Sequence, residues 1–246
     1  MTSRPVGRLR PHPAMTVDRA DFNGASCVWS SVFDGLSPSQ SASVHQAVRV
    51  REHNRGTTLF NVGDPPNDVL IVMTGRIKVY MLSADGTTFT PALYGPDRVT
   101  GLISTLRGVP RMMKAVTVDD AAIGSLTRGD LHRLMMELPL FGENIAKLVA
   151  AMASDLIWVI NERALLPAKE RLLHTLMSLG EPPANSNGDV LVIRGLSQED
   201  LAGIVGVSRT WINLTLTDLE REGFIARSRM EIHILRPTQV RSALRG

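Results

Sequence analysis

The chain of 246 residues has a single cysteine, Cys27. One thiol cannot close a disulfide within the chain, and it cannot supply the several cysteines that hold an iron–sulfur cluster. No apolar run reaches the roughly 20 residues that a membrane-spanning helix requires. The first 14 residues are basic and proline-containing without an apolar core behind them, so we do not expect a secretory signal. These absences favour a protein of the reducing cytoplasm that makes no contact with a membrane.

The residue patterns of catalysis and metal binding are also missing. We find no P-loop, no metal-ligand spacing and no Ser/His/Asp or paired-carboxylate signature, so we expect neither an enzyme nor a metal site. The net charge is +3, which permits binding to nucleic acid without arguing for it. With 43% hydrophobic residues, the chain can fill the cores of one or two domains.

The first half of the chain divides into a short extension and a β-rich segment. Residues 1–20 are predicted to be a flexible N-terminal extension, with an arm that contacts phosphates as the alternative. Ser37, which precedes a proline, predicts a helix start with the serine as cap. From residue 50 to about 130, glycines recur between short β-prone runs, and Asp85-Gly86 signals a turn. Short strands joined by such turns predict an antiparallel barrel or sandwich.

Residues 139–166 are predicted to form one long helix with a heptad pattern. Its apolar and long side chains recur at alternating spacings of four and three residues, which is typical of a two-stranded coiled coil. An amphipathic helix packed on its own domain is the alternative. The predicted dimer contacts are Ile145, Val149, Met152, Leu156, Val159 and Arg163, and Leu166 continues the pattern. Pro167 then marks a hinge before the next helix.

The segment from Leu196 to Ile225 predicts two short helices separated by a glycine turn. Ser197 and Asp200 predict a capping box at the first helix. Gly206 permits the tight turn, and Ser208 caps the second helix. Two helices joined in this way form a helix-turn-helix. Apolar residues then alternate with polar ones, as in the hairpin wing of a winged helix: Met230, Ile232 and Ile234.

A helix-turn-helix inserts its second helix into the major groove of DNA with the N-terminus first. Arginine is suited to guanine O6 and N7 and asparagine to adenine N6 and N7, so Arg209 and Asn213 are candidate base-reading residues. Hydroxyls and helix N-termini suit phosphates. The predicted DNA contacts are Ser197, Gln198, Ser208, Arg209, Thr210, Trp211 and Asn213. A helical hairpin without nucleic acid is the alternative, and packing in the domain core is the alternative role of Trp211.

Two blocks of the sequence resemble the Crp/Fnr family of bacterial transcription regulators, and the resemblance begins at about Phe33. The heptad helix joins the two blocks in the order expected of that family. The first block contains Arg55-Gly56, Gly63-Asp64, the run Ile71–Tyr80 and Gly101, and the second contains Leu196–Arg209 and Leu219–Ile225. The resemblance implies an α+β fold. Its parts would be an antiparallel β-roll sensor domain (a double-stranded β-helix similar to a jelly roll), a long dimerisation helix and a C-terminal winged helix-turn-helix. The implied domains are a cyclic-nucleotide-binding-like β-roll at 21–138, the dimerisation helix at 139–166 and the DNA-binding domain at 167–246.

The resemblance also implies a function. Family members are homodimers that bind palindromic operators in double-stranded DNA, act with RNA polymerase, and hold an effector between the β-roll and the long helix. Two positions depart from the family's pattern. Thr210 stands where glutamate is frequent, and Leu214 stands where a second base-reading arginine is expected. We therefore expect an operator different from the commonest family palindrome.

The effector pocket implied by the resemblance also departs from the nucleotide-binding members. Leu102 follows Gly101 where those members have glutamate, and Met112 follows Arg111 where they have serine. Each lost polar contact costs about 0.5–1.5 kcal/mol, so cyclic AMP is not expected to be the effector. The predicted pocket residues are Gly101, Leu102, Ile103, Arg111, Met112, Leu156 and Ile157, the last two replacing a Thr-Ser pair. Four alternatives remain for the effector: an apolar or aromatic small molecule, haem bound by a histidine, a cyclic nucleotide, or no ligand. The candidate haem ligands are His45, His53 and His132.

Overall fold

The computed structural model describes residues 31–83, 88–183 and 189–244. The predictions for residues 1–20, for Cys27 and for the turn at Asp85-Gly86 lie outside these residues. None of the helices in the described part combines the length and apolarity that a bilayer crossing requires.

The sensor half consists of two four-stranded antiparallel sheets and three short helices. The strands pair in the orders β1-β8-β3-β6 and β2-β7-β4-β5. The elements are α1 (Pro38–Ala47), β1 (Arg49–His53), β2 (Thr58–Phe60), β3 (Asp68–Thr74), β4 (Ile77–Leu82), β5 (Thr88–Tyr94), β6 (Val99–Thr100), α2 (Leu102–Arg107), β7 (Lys114–Thr117), β8 (Ala121–Thr127) and α3 (Arg128–Glu137). This architecture confirms the predicted antiparallel β-roll, and Ser37 caps α1 as predicted.

Strand β3 is apolar on both faces because both faces are covered. Val69 and Ile71 pack with the helices, whereas Leu70 and Val72 pack between the two sheets. A strand buried on both sides is expected to be a continuous apolar run without alternation. The turn into β4 requires Gly75, whose φ is +75°. A Cβ atom there would lie 2.5 Å from a backbone oxygen of the loop before β8, so only glycine fits.

The long helix α4 (Pro139–Leu165) packs its N-terminal half onto the sensor core. Phe141 and Leu148 are fully buried there. Between them, the buried Asn144 donates from Nδ2 to the backbone oxygens of Val32 and Asp34, at 3.3 and 2.8 Å. This side chain attaches the first described turn of the chain to α4.

Replacing Asn144 should therefore lower stability. Asn144→Ala leaves two carbonyl oxygens without their donor, which costs about 1–3 kcal/mol in the free energy of unfolding. Urea unfolding followed by circular dichroism measures the change. Asn161→Ala, at an exposed position of the same helix, is the control and should change the free energy by less than about 0.5 kcal/mol. Equal effects of the two substitutions would contradict the role given to Asn144.

The C-terminal half is a winged helix-turn-helix, as predicted. Leu166 and Pro167 separate α4 from the next helix. The elements are α5 (Ala168–Leu179), β9 (Leu191–Arg194), α6 (Gln198–Val205), α7 (Arg209–Arg221), β10 (Ile225–Ser228), β11 (Glu231–Ile234) and α8 (Pro237–Ala243). The three strands form one antiparallel sheet in the order β10-β11-β9. One apolar cluster unites the helices and this sheet, and Val118 of the sensor half joins it.

Candidate nucleic-acid interface

The helix-turn-helix is formed by α6 and α7. The Ser197 hydroxyl accepts from the Asp200 backbone N–H, and the Asp200 carboxylate accepts from the Ser197 N–H, which completes the predicted capping box. Gly206 has φ +76° and ends α6 in the left-handed conformation. Ser208 then caps α7, accepting from the backbone N–H of Trp211 at 3.1 Å. These local signals fix the angle between the two helices.

The recognition surface is the outer face of α7. Ile212, Leu216 and Leu219 bury the opposite face in the core of the C-terminal half. The predicted DNA contacts Ser208, Arg209, Thr210 and Asn213 are exposed, and Ser197 and Gln198 are half-buried at the start of α6. Trp211 is half-buried and packs against the core, so its position fits the structural role better than a DNA contact.

The wing contributes one residue that the sequence prediction missed. Arg227 of β10 donates from Nε and Nη2 to Oε2 of Glu220 at 2.9 and 2.7 Å, and from Nη2 to Thr217 Oγ1 at 3.1 Å. Asn213 Oδ1 accepts from Gln198 Nε2 at 3.2 Å and from Arg227 Nη1 at 3.5 Å. Arg227 thus connects the wing to α7 and, through Asn213, to the start of α6.

Cationic and polar groups of the three elements meet at one surface groove. Its volume is about 390 Å³, and its walls include Ser197, Gln198, Arg209 and Arg227. Arginine guanidinium groups and a helix N-terminus together favour an anion such as a phosphate. The geometry therefore places exposed polar side chains of α7 beside groups that favour an anion, although Glu199 and Glu231 also line the groove.

The sensor half holds the start of the helix-turn-helix through three cationic side chains. The Lys78 ammonium of β4 donates to Oδ1 of the capping residue Asp200. Arg76 donates to Asp119 at 2.6 and 2.9 Å and to the backbone oxygen of Arg194 at 2.7 Å. The hydrogen bond with Asp119 raises the pKa of Arg76. Arg55 adds a contact with the neighbouring turn, donating to the oxygen of Gly195 at 3.0 Å.

The other end of α6 is held from α4 and α5. Arg163 donates to the oxygens of Gly203 and Ile204 at 3.3 and 3.5 Å, and Arg171 donates to the oxygen of Val205 at 3.0 Å. Cations are favourable at a helix C-terminus, where the carbonyl groups carry partial negative charge. The Arg163 guanidinium also lies 4.4 Å from the ring of Phe89 in β5. The sensor half therefore holds the start of α6, whereas α4 and α5 hold its end.

The pair of Lys78 and Asp200 should make stability depend on pH. Burial alone would raise the pKa of the Asp200 carboxyl, but hydrogen bonds from Lys78 and Ser197 outweigh it and hold the pKa below its ordinary value. A carboxyl whose pKa is lower in the folded state stabilises the fold above its unfolded pKa, near 4. That contribution is lost as the pH falls through the folded value.

We expect Asp200→Asn to lower the free energy of unfolding by about 1–3 kcal/mol at pH 7, and by less at pH 3.5. Urea unfolding at both pH values measures the difference. The control is Asp218→Asn, which alters an exposed pair with Arg221 and should change stability by at most about 1 kcal/mol. A loss for Asp200→Asn that is equally large at both pH values would refute the ionic role of the carboxylate.

A cavity of about 120 Å³ lies between the β-roll and α4. Six of the predicted pocket residues line it, namely Gly101, Leu102, Ile103, Arg111, Met112 and Leu156, together with Met113, Met152 and Tyr94 among others. Ile157 does not line it, because this side chain is 61% exposed on the outer side of α4. Burial raises the pKa of Tyr94 to about 12, and the charge of Asp155 adds to the shift, so the hydroxyl stays neutral. His45, His53 and His132, the candidate haem ligands, are not among the lining residues.

The guanidinium of Arg111 is largely occupied by its own subunit. Nη2 donates to Oδ1 and to the backbone oxygen of Asp68 at 2.8 and 2.6 Å, and Nη1 donates to the oxygen of Gly101 at 2.8 Å. Burial lowers the pKa of Arg111 in spite of the Asp68 carboxylate, which acts in the opposite direction. Nε is buried without a hydrogen-bond partner. The arginine therefore holds the start of β3 against the start of α2.

The predicted dimer seam needs a correction. Ile145 and Met152 are buried in the sensor core of their own subunit, and Arg163 is bound to α6. These residues do not form a free face, and Leu156 lines the cavity. The exposed apolar stripe of α4 is offset by one residue and keeps the heptad spacing: Ala146, Ala150, Ala153, Ile157, Ile160 and Ala164. The helix uses one apolar face within its subunit and leaves a second one uncovered.

A β-roll with an internal cavity, a long helix with an apolar stripe and a winged helix-turn-helix with an exposed second helix are the features of a DNA-binding transcription regulator. Comparison with protein families agrees. Residues 50–138 match the cyclic nucleotide-binding domain, and residues 170–243 match the Crp-like helix-turn-helix domain. The chain belongs to the Crp/Fnr family of transcription regulators.

Individual proteins are similar over most of the chain. The CRP-like cAMP-activated global transcriptional regulator of Mycobacterium tuberculosis is 25% identical over 197 residues, which cover 80% of this chain and 88% of the relative. The cyclic AMP receptor protein of Thermus thermophilus is 27% identical over 196 residues, with the same coverage. The c-di-GMP-responsive regulator CLP of Xanthomonas campestris has the same fold, with a TM-score of 0.71, 18% identity, and coverage of 80% of this chain and 99% of that one.

Proposed function

We propose that this protein is a homodimer that binds an inverted repeat in double-stranded DNA through α7 and thereby regulates transcription. The observation that carries the proposal is the two-faced character of α7. Ile212, Leu216 and Leu219 anchor the helix in its own core, while the first two turns present polar side chains to solvent. A helix with this exposure at its N-terminus fits the major groove.

The contacts follow from the chemistry of each group. Arg209 is exposed and can place two donors on guanine O6 and N7. Ser208, Ser197 and Gln198 stand beside the two helix N-termini, where phosphates are favoured. Asn213 can read adenine in bidentate fashion only if its Oδ1 exchanges the contact with Gln198 for one with the base. Arg209 is therefore the primary base-reading residue of the proposal.

Dimerisation is proposed through the exposed stripe on α4. Ile157 and Ile160 are 61% and 64% exposed in the subunit, and small alanines on either side allow a second helix to approach. Spacings of four and three residues match the seam of a two-stranded coiled coil. Two copies related by a two-fold axis would present two α7 helices to half-sites about one helical turn, roughly 34 Å, apart.

Selection from a random duplex library with the purified full-length protein tests this function. We expect enrichment of an inverted repeat with half-site centres about 10 base pairs apart. Binding of the enriched duplex should weaken steeply as salt rises, because phosphate contacts release counterions. If the DNA recovered from the library contains no enriched inverted repeat, the proposal is contradicted. A single unrepeated half-site would retain DNA binding and contradict the dimer.

The effector is proposed to be an apolar small molecule other than cyclic AMP. Leu102, Met112 and Leu156 give the cavity an apolar lining, and the guanidinium of Arg111 is already bound to Asp68 and to backbone oxygens. An anionic phosphate would have to compete with the Asp68 carboxylate for that guanidinium. The cavity is small, so a ligand of this class must be compact or must widen the space between β5 and α4.

A cyclic nucleotide is the second candidate, because two relatives are named for cyclic AMP and the first domain matches the cyclic nucleotide-binding model. Calorimetric titration with cyclic AMP separates the candidates. Micromolar binding that Arg111→Ala abolishes would establish the nucleotide and overturn the apolar effector. Family membership further supports RNA polymerase as a partner and the cytoplasm as the place of action.

A further inference from the structure

Leu214 of α7 is an exposed apolar side chain on a surface that is otherwise polar. Its side chain is 61% accessible, and it follows Thr210 by one helical turn. Residues four apart on a helix are neighbours on its surface. At 3.6 residues per turn, Thr210 and Leu214 lie within roughly 30° of the direction opposite the core residues of α7. They therefore form the part of the helix that projects furthest from the protein.

We propose that Leu214 and the γ-methyl group of Thr210 form an apolar patch that reads the C5-methyl group of a thymine. This inference rests on the proposed binding of α7 in the major groove. The thymine methyl group is the apolar feature that base edges display in that groove, and apolar side chains recognise it. A leucine has no hydrogen-bonding group, so it can contribute to base selection only through such a contact.

The neighbouring residues support this division of roles. Arg209 and Asn213 lie on the side of α7 that faces the wing, where Asn213 is held by Gln198 and Arg227. Leu214 lies on the other side of Arg209 and Asn213. As a leucine it makes no side-chain hydrogen bond that would hold it against the protein surface. Each half-site should then contain a base pair read by Arg209 and, beside it, a thymine read by Leu214.

Replacing single thymines by deoxyuridine in the selected duplex tests the proposal, because the exchange removes only the methyl group. Burial of one methyl group corresponds to about a fourfold change in affinity. We expect one thymine in each half-site at which the exchange weakens binding about fourfold, and roughly fifteenfold when both half-sites are changed. Deoxyuridine at thymines outside the half-sites is the internal control.

Three variants assign the effect to this patch. Leu214→Ala should lose most of the preference for thymine over deoxyuridine, whereas Leu214→Met, which stays apolar, should keep most of it. Thr210→Ser removes a methyl group and keeps the hydroxyl, so it should reduce the preference without abolishing it. Both positions are exposed in the structure, and thermal unfolding should confirm unchanged stability.

The outcomes separate this inference from the proposed function. Equal binding of thymine and deoxyuridine duplexes at every position, or half-sites without a fixed thymine, would overturn the methyl contact while DNA binding stands. A preference that persists at full size in both Leu214→Ala and Thr210→Ser would assign the methyl contact to another residue and overturn the patch. Failure to enrich any DNA would overturn the proposed function and this inference together.

Discussion

The double variant Ile157→Glu/Ile160→Glu is expected to be a monomer at micromolar concentration. Burying an isoleucine contributes about 1.5–3 kcal/mol, and a two-fold interface repeats each loss. Four side chains therefore account for at least about 6 kcal/mol, which corresponds to roughly four orders of magnitude in the dimer dissociation constant. Sedimentation velocity measures the change. Because both residues are exposed within the subunit, the variant should fold normally.

The operator affinity of this double variant should fall by at least about two orders of magnitude, because a monomer engages one half-site at a time. Met136→Glu is the matched control. It places one glutamate at an apolar residue of α3 that is 84% exposed, and it should leave both dimer and operator binding unchanged. A double variant that still sediments as a dimer would show that the stripe on α4 is not the interface.

Arg209→Ala should abolish discrimination at one base pair of each half-site. Loss of a bidentate contact with guanine costs about 1–3 kcal/mol, so two half-sites lose about 2–6 kcal/mol, or roughly 30-fold to 10⁴-fold in affinity. Arg209→Lys keeps the charge but loses the planar fork, and it should recover non-specific binding without recovering the base preference. Competition binding with every base at each operator position measures both effects.

Arg221→Ala is the control for charge. It removes one positive charge at the opposite end of α7, where Asp218 already neutralises the guanidinium, so we expect less than about a threefold change in affinity. If Arg209→Ala weakens binding equally for all sequences, the side chain contacts phosphate and not a base. That result would mean that other residues of α7 select the operator bases.

Much of the fold could be predicted because its signals are local. Ser37, Ser197 and Ser208 each cap a helix as expected, and Gly206 supports the turn of the helix-turn-helix. Such signals depend on a few consecutive residues, which the chain displays directly. The exposed residues of α7 follow from the same periodicity, since the buried positions of a helix fix its outer face.

The register of the proposed dimer seam could not be decided from periodicity alone. Helix α4 has two apolar faces, both with heptad spacing, and they differ in register by one residue. Only the packing of Ile145 and Met152 into the sensor core decides which face remains for a partner. A pattern shows that a residue is apolar and periodic, but it does not show which neighbour covers that residue.

Contacts between distant parts of the chain could not be predicted from the sequence either. Lys78 and Asp200 are separated by 122 positions, and each is an ordinary charged residue in its own segment. Arg227 was missed for a similar reason, because its bonds with Glu220 require the wing to fold back onto α7. Such pairs depend on the three-dimensional arrangement of elements, and the residue types on either side give no sign of them.

Helix α6 is attached to other parts of the molecule at both of its ends. One end of this helix is tied to β4 through Lys78, and the other is tied to α4 through Arg163. The cavity lies between the same β-roll and the same long helix, with Pro91 of β5 on one wall and Met152 of α4 on the other. A molecule that widens this cavity is therefore expected to tilt α6 or to detach one of its ends. The proposed DNA-reading surface would then change its orientation with the width of a cleft of about 120 Å³.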